Sequence, residues 1–419
     1  MIVFLCFLVP MRKRTRLTAF AAAALTAALV AAGLMSASSQ SAQASDEHAA
    51  PAALYRSANA VPGRYIVTLG KGVDSESMTG RAGVEPLFTY RSAMRGFAAA
   101  LSPLQLDQVR STPGVVAVEE DAAVSVLGTT GSDTRAAAPP TTALSAPASW
   151  GLDRIDQHNL PLDNRFTAKS SGRGATAYIL DTGIDFDHTE FGGRAKLGYD
   201  SVGDGWEGRD CHGHGTHVAG TVGGKTYGVA RAASLVSVRV LDCLGSGTWS
   251  SVIAGLDWVA AHAKHPAVLN ASIGGEKSVA VNKAVTAVSD SGVLPIVAAG
   301  NESADACDVS PASADRVVAV GATDRDDDET DFSNFGECLS LYAPGVDIVS
   351  ANFFGGSVAL TGTSMASPHV AGVAALYAAK HPKALPKELA AWLEDGSTKD
   401  VLGNAGQGSP NRLLYTNGL

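Results

Sequence analysis

The sequence predicts an α/β protein, built on a doubly wound, mainly parallel sheet and preceded by a small α+β domain. Three observations carry that prediction. After Trp150, short apolar runs alternate with longer helical stretches, the pattern of strands joined by crossover helices. Before residue 128, several strands and one well-marked helix share a stretch of under about 70 residues, the scale of a small α+β sandwich. Between the two, residues 128–149 are rich in Thr, Ser, Ala and Pro and show no apolar periodicity, so they read as a linker.

The chain as a whole sets bounds on these parts. It has 419 residues, 46% hydrophobic and 17% charged, ample for more than one domain. A net charge of −9 gives no basic footprint for nucleic acid. Of five cysteines, Cys6 lies in a segment expected to be removed, which leaves Cys211, Cys243, Cys307 and Cys338. Four cysteines allow three pairings. Nested neighbours, Cys211–Cys243 and Cys307–Cys338, are the simplest. Each would close a loop of roughly 30 residues, worth about 3–4 kcal/mol in the chain-entropy view. The alternative, four reduced thiols in a cytosolic protein, fits poorly with the leader.

Residues 1–44 form an export signal, with translation expected to start at Met11. A basic run from Met11 to Arg16 precedes an apolar, alanine-rich stretch, and Ala42-Gln43-Ala44 is a small-residue cleavage pattern. The domain that follows takes in residues 45–127. Its opening, 45–61, reads as a disordered leader. Strands are expected at 64–69, 87–90, 96–101 and 115–121. Ser102-Pro103-Leu104-Gln105 opens a helix with a serine cap, proline at the first helical position and glutamine at the third, a capping box. Leu104, Leu106 and Val109 supply its apolar face. The stretch 74–80 offers one further short helix.

The linker 128–149 is a natural place for a cut in a secreted chain. The larger domain covers 150–419. Strands are expected at 175–180, 235–241, 268–273, 293–299 and 317–320, and helices at 252–263, 279–288, 365–380 and 386–394. In such sheets the working residues collect beyond the carboxyl ends of strands.

Four short motifs stand out, two of them, at Asp181 and Asn301, at such ends. Asp181 follows Ala-Tyr-Ile-Leu and precedes Thr182-Gly183. His214 lies in Gly213-His214-Gly215-Thr216-His217. Asn301 follows Ala298-Ala299-Gly300. Ser364 lies in Gly362-Thr363-Ser364-Met365-Ala366, at the head of an alanine-rich helix, where a side chain is exposed and near the positive end of the dipole. Pro368 is expected in the first turn, where a missing N–H costs nothing. Singly, each motif has a plain explanation: a turn-capping aspartate, a polar turn residue, an N-cap serine. His212, His214 and His217 also form an H-x-H-x-x-H cluster that could hold zinc.

Together the four motifs resemble those of the subtilisin-like serine proteases (subtilases), in the proteinase K branch and most nearly its secreted aqualysin-type members. The similarity covers the chain from Gly63 on. It includes Trp150-Gly151-Leu152-Asp153-Arg154-Ile155-Asp156-Gln157, like that branch's mature amino-terminal segment, and Ser409-Pro410-Asn411-Arg412-Leu413-Leu414-Tyr415, like its carboxyl end. The resemblance implies a subtilisin-like fold and an Asp181–His214–Ser364 triad. Ser364 would attack, His214 would carry the proton, and Asp181 would fix the imidazole. Asn301 and the Ser364 N–H would hold the oxyanion. His217 and His369 match motif positions without a catalytic role, and His212 is assigned none.

Substrate would bind as an added strand, with Ser272, Ile273 and Gly274 on one side and Gly245, Ser246 and Gly247 on the other. Ala298, Ala299 and Gly300 would wall a roomy apolar pocket, giving broad cleavage after aromatic or aliphatic residues. Residues 45–127 resemble an inhibitory propeptide that assists folding and blocks the cleft until cut away. By analogy the mature chain begins near Ala143, with every bond between Leu127 and Leu144 left open. Asp153, Asp156, Gln157 and Asp163 resemble a structural calcium site, built of hard oxygen donors. Ser340 stands where a second family site has aspartate, so that site is weakened or absent.

The expected protein is therefore a secreted, extracellular, monomeric endopeptidase. It would have no organic cofactor, no membrane anchor and no nucleic-acid partner. Its partners would be protein and peptide substrates and its own propeptide. Two rival readings stand beside it: a zinc hydrolase using His212, His214 and His217, and a non-catalytic secreted binding protein on the same fold. An α/β-hydrolase esterase is disfavoured because Gly362-Thr363-Ser364-Met365-Ala366 lacks the second glycine of G-x-S-x-G.

Overall fold

Apolar runs without polar alternation have no face to leave in water, and here they form the interior strands of a parallel sheet. The computed structural model describes residues 50–127 and 148–419. The expected signal segment, the first residues of the leader and the linker up to residue 147 lie outside the described residues.

The N-terminal part comprises β1 (Ala53–Tyr55), β2 (Ala60–Leu69), α1 (Ser75–Ala82), β3 (Pro86–Tyr90), β4 (Gly96–Ala100), α2 (Pro103–Arg110) and β5 (Val115–Val126). Its strands run β5-β2-β4-β3, all antiparallel, with β1 parallel to β5. The capping box at Ser102 is complete: Ser102 caps the Gln105 N–H, and the Ser102 N–H donates to Gln105 Oε1 at 3.0 Å. The apolar face expected of α2 needs one correction. Val109 is buried and Leu106 half-buried, but Leu104 is 68% exposed. Residues 106 and 109 share a helix face, and a residue two positions before 106 points the other way.

The C-terminal part begins with α3 (Trp150–Arg154), β6 (Thr176–Asp181), β7 (Ala195–Asp200), α4 (His214–Gly223), β8 (Ser234–Arg239), β9 (Ser246–Thr248) and α5 (Trp249–His262). It continues with β10 (Ala267–Ala271), β11 (Ile273–Glu276), α6 (Val279–Asp290), β12 (Leu294–Ala298), β13 (Val309–Ser310), β14 (Val318–Thr323) and β15 (Leu341–Pro344). It ends with β16 (Ile348–Ala351), β17 (Ser357–Leu360), α7 (Thr363–Lys380), α8 (Pro386–Gly396), β18 (Thr398–Lys399) and β19 (Arg412–Leu413). The main sheet has the order β18-β19-β15-β14-β12-β10-β6-β8-β7. It is parallel except between β18 and β19. Strands up to β8 build to one side of β6 and those from β10 on to the other. The carboxyl ends of β6 and β10 therefore flank a topological switch point, where such sheets open a crevice.

Alternation along β6 sends Ala177 and Ile179 into one core, with Val218 of α4, Val370 of α7 and Leu389 of α8. Tyr178 and Leu180 enter the other, with Val252 of α5 and Val285 of α6. That second core also takes Ile66, Tyr90, Met94, Ala98 and Val124 from the N-terminal part. The N-terminal part keeps only a nine-residue core of its own, around Val67, Phe97 and Val118. The cysteines pair in the simplest of the three ways, Cys211–Cys243 and Cys307–Cys338.

Candidate active site

Asp181 is the last residue of β6 and His214 the first of α4. Gly213 makes the turn into α4 with φ +109, a backbone that side chains resist. Asp210 holds the turn together. Its Oδ1 accepts from the Thr182 hydroxyl and the His212 and Gly213 N–H groups, all at 2.9 Å. Its Oδ2 accepts from the Thr216 N–H at 2.9 Å and hydroxyl at 2.6 Å. So anchored, His214 donates from Nδ1 to Asp181, 2.8 Å from Oδ1 and 3.0 Å from Oδ2. Both side chains are buried. Burial disfavours the imidazolium, but the charge and hydrogen bond of Asp181, helped by Asp210, outweigh it, so the His214 pKa is raised. His214 Nε2 is buried and has no hydrogen-bond partner among the described residues.

Ser364 is the second residue of α7, so its N–H has no acceptor inside the helix. Two expectations are corrected here. Pro368 is not in the first turn but is the sixth helical residue. Its missing N–H leaves the Ser364 carbonyl unpaired within the helix, and the Ser272 hydroxyl donates to that carbonyl at 2.9 Å. Nor is Ser364 exposed: it is fully buried, and its hydroxyl donates to the Ser272 carbonyl at 3.1 Å. Ser272 directly follows β10, so these paired bonds tie Ser364 to the crevice at the switch point. Asn301 reaches the same place. Its Oδ1 accepts from the Thr363 N–H at 2.9 Å and hydroxyl at 2.7 Å, which leaves Nδ2 as the donor end of the amide.

The residues expected to hold substrate flank a strand of the chain itself. The end of β5 pairs antiparallel with β9 on one side and β11 on the other. Ser125 lies opposite Ser246 and Gly274, and Val126 opposite Ile273. The Val126 N–H donates to the Gly245 carbonyl at 2.8 Å. A Cβ on Gly274 would lie 2.8 Å from Leu127 Cδ2, so the leucine side chain packs directly on that glycine and would have to shift for any larger residue. Beyond it opens a cleft of about 720 Å³. Glu276, Glu302 and Asp308 contribute to its lining, whereas Ala298, Ala299 and Gly300 do not, so it is not the pocket those three were expected to wall. Ala298 ends β12 and Ala299 follows it, both fully buried. Gly300 takes φ +110, and a Cβ there would lie 2.1 Å from Asn334 Nδ2.

Two residues of β5 went unremarked in the sequence. Glu119 accepts from the Ser278 hydroxyl, and from the Ala280 N–H at 3.2 Å, at the start of α6. Asp121 accepts from the Ser250 N–H at 2.9 Å and hydroxyl at 2.6 Å, at the start of α5. Two buried carboxylates of the N-terminal part thus meet the positive ends of two helices of the C-terminal part. Burial pushes both pKa values up, against their serine hydrogen bonds. The available signal was a run of three acids, Glu119-Glu120-Asp121, of which the first and third fall on one face of the strand.

The three histidines go to different partners. His214 holds Asp181, His217 Nε2 donates to the Ile348 carbonyl at 2.9 Å, and His212 Nδ1 faces the His214 N–H at 3.4 Å. Among the described residues, one set of three potential ligands (His, Cys, Asp or Glu) brings its atoms within 4.8 Å of one another: Asp204, Cys211 and Cys243. Its two cysteines form a disulfide.

Asp153 lies in α3, and Asp156, Gln157 and Asp163 in the loop that follows it. Asp153 Oδ1 is buried with no partner among the described residues. Burial, then the charges of Asp153 and Asp163, push Asp156 up to about 6. Gln157 Oε1 accepts from the Asp163 N–H at 3.1 Å. The oxygen donors suit a hard cation by their chemistry, but among the described residues the structure does not bring the Asp153, Asp156 and Asp163 carboxylates within 4.8 Å of one another.

The chain is similar to known proteins over most of its length. The profile of the Subtilase family matches residues 172–413, and that of the peptidase inhibitor I9 family matches 35–127. An "Extracellular serine proteinase" of Thermus sp. (strain Rt41A) is 42% identical over 89% of this chain and 94% of its own length. "Alkaline serine exoprotease A" of Vibrio alginolyticus is 46% identical over 81% of this chain and 62% of its own. A solved structure of a cold adapted subtilisin-like serine proteinase superposes with a TM-score of 0.63 at 50% identity. It covers 64% of this chain and 97% of that one.

Proposed function

The chain belongs to the subtilase family and is a serine-type endopeptidase; on that footing we propose that Asp181, His214 and Ser364 are its catalytic triad. One observation carries the assignment: the buried Asp181–His214 pair stands at the switch point, where Ser364 is tied to the neighbouring strand end through Ser272. The Ser364 hydroxyl turns from the Ser272 carbonyl to His214 Nε2 and attacks the substrate carbonyl carbon. His214 takes the proton and returns it to the leaving amine as the C–N bond breaks. Asp181 holds Nδ1–H and stabilises the imidazolium. Water then hydrolyses the ester. Asn301 Nδ2 and the Ser364 N–H receive the oxyanion.

Substrate replaces the end of β5 as the strand between β9 and β11, so most recognition is through the backbone and sequence preference is broad. Aromatic or aliphatic residues are favoured before the cut, where Leu127 now sits. The N-terminal domain acts as an intramolecular inhibitor and folding aid, and the enzyme processes its own precursor. Secretion is supported by the leader composition and by the extracellular relative. Among the described residues no helix is long and apolar enough to cross a membrane. Asp153, Asp156, Gln157 and Asp163 would hold a structural calcium ion, which draws their charges together and stiffens the loop. The mature enzyme acts as a monomer.

The test is to express the precursor from Met11 beside Ser364→Ala and follow chain length and casein digestion. The parent is expected to lose its N-terminal domain and digest casein, while the variant stays full length and inert. Equal trimming of both, with no digestion, would overturn the assignment and favour the binding-protein reading.

A further inference from the structure

The register of β5 identifies the bond that the precursor would cut first. Antiparallel pairing sets Ser125 against Gly274 and Val126 against Ile273. One step further along the two chains brings Leu127 opposite Ser272. Ser272 is the residue whose carbonyl accepts from the Ser364 hydroxyl and whose hydroxyl donates to the Ser364 carbonyl. The other edge agrees, since β9 pairs with Ala123 to Ser125 and the Val126 N–H reaches the Gly245 carbonyl. The strand is held from both sides up to its last residue, and Leu127 is the one brought level with the nucleophile.

The side chains fall into the same register. Val124 and Leu127 are each only 4% exposed, whereas Ser125 between them faces solvent. Val124 joins the core that contains Leu241 and Trp249. Leu127 lies against Gly274 at the mouth of the acidic-rimmed cleft. Val126 is half-buried. Strict alternation would send residues three apart to opposite faces, so the two are seated separately: Val124 within β5, and Leu127, just beyond its last residue, against Gly274.

We propose that the first cleavage of the precursor falls on the peptide bond at the carboxyl side of Leu127, and that residues 128–149 stay attached to the catalytic domain after that cut. The proposal rests on the triad assigned above. Ser364 Oγ bonds to the Leu127 carbonyl carbon, and its proton passes by way of His214 to the departing amine of Gly128. Water then releases the Leu127 carboxylate. The inhibitor domain so released ends in Val124-Ser125-Val126-Leu127 and still fills the cleft as a product. The start expected by analogy, near Ala143, then needs a second cut in the retained extension.

The test uses the full-length precursor. It is sampled from the earliest times of maturation, and the carboxyl end of the released domain and the new amino end are read by mass spectrometry. The first pair of fragments is expected to end at Leu127 and begin at Gly128, with any start near Ala143 appearing later. Leu127→Asp places a charge in the apolar seat and is expected to slow that first cut by at least about 100-fold. A first fragment ending at another residue, with Ser364→Ala still uncut, overturns this inference and leaves the triad standing. Trimming of Ser364→Ala at the parent's rate overturns the triad instead. Because the parent's cut is mapped directly, the outcome does not depend on the Leu127 variant folding.

Discussion

The two domains are stabilised in different ways. The catalytic domain has a core on each face of its sheet and two disulfides. The inhibitor domain has a nine-residue core, no disulfide among its described residues, and a second apolar face that is covered only by the catalytic domain. Small domains bury too little surface to be secure alone, so this one gains much of its stability by docking. Its polar anchors follow the same logic. Glu119 and Asp121 cap helices of the neighbouring domain, and Asp257 answers from the other side by accepting from the Ser92 and Ala93 N–H groups at 2.7 Å. An inhibitor built in this way holds while docked and loses its support once it leaves.

That contrast predicts that rate and docking can be broken separately. The largest effect is expected from Asp181→Asn, which should lower kcat about 10⁴-fold, as the matching change does in a serine protease of another fold. Propeptide affinity should be unchanged. The same variant tests the pH dependence. In the proposed triad neutral His214 is the active form, so activity should rise as pH climbs through its pKa, which Asp181 holds above the ordinary histidine value. Removing that charge should shift the acid limb of the kcat/KM profile to lower pH. Asn301→Ala should cost about 10²–10³ in kcat, a magnitude measured in subtilisin, a member of the same family. Steady-state kinetics on a short peptide would show whether the loss falls on kcat, as expected, or on KM.

Asp121→Ala should do the reverse. It strands the Ser250 N–H and hydroxyl, at a cost of about 1–3 kcal/mol, so binding of the separated inhibitor domain weakens roughly 5- to 150-fold. The kcat of the mature enzyme should not change. The sign of the pH effect follows from burial, which raises the Glu119 and Asp121 pKa values in the docked state. The complex then holds protons more tightly than the separated domains. Affinity should be highest in acid, fall as pH rises through the raised values, and level off above them. Titrating the domain against Ser364→Ala enzyme would check both points, and Glu119→Gln with Asp121→Asn should flatten the curve.

The smallest effect concerns the catalytic domain alone. Calcium at 100 times its Kd should stabilise by about 2.7 kcal/mol, so chelation should lower Tm by roughly 5–10 °C. Asp153→Asn should abolish that sensitivity. A Tm indifferent to calcium would remove the ion from the account of this domain.

The sequence by itself determined the strands and most of the helices, and it singled out the four motif residues proposed for the site. Buried parallel strands read as unbroken apolar runs, and working residues stand at their carboxyl ends, so Asp181 and Asn301 were legible from neighbours in the chain. It also narrowed the cysteines to three pairings. Only the tertiary structure decided the rest, because each remaining feature joins groups distant in sequence. Pro368 is tolerated inside α7 since Ser272, from another strand, takes the carbonyl it leaves unpaired. Ser364 is buried rather than exposed where the chain's own β5 enters the crevice. Glu119 and Asp121 look like surface acids on a short strand until α5 and α6 bring their N-termini to them. Leu127 is likewise one apolar residue before a linker. The place proposed for it beside Ser364 is a matter of strand register, which depends on pairing with β9 and β11 and is written in no local pattern.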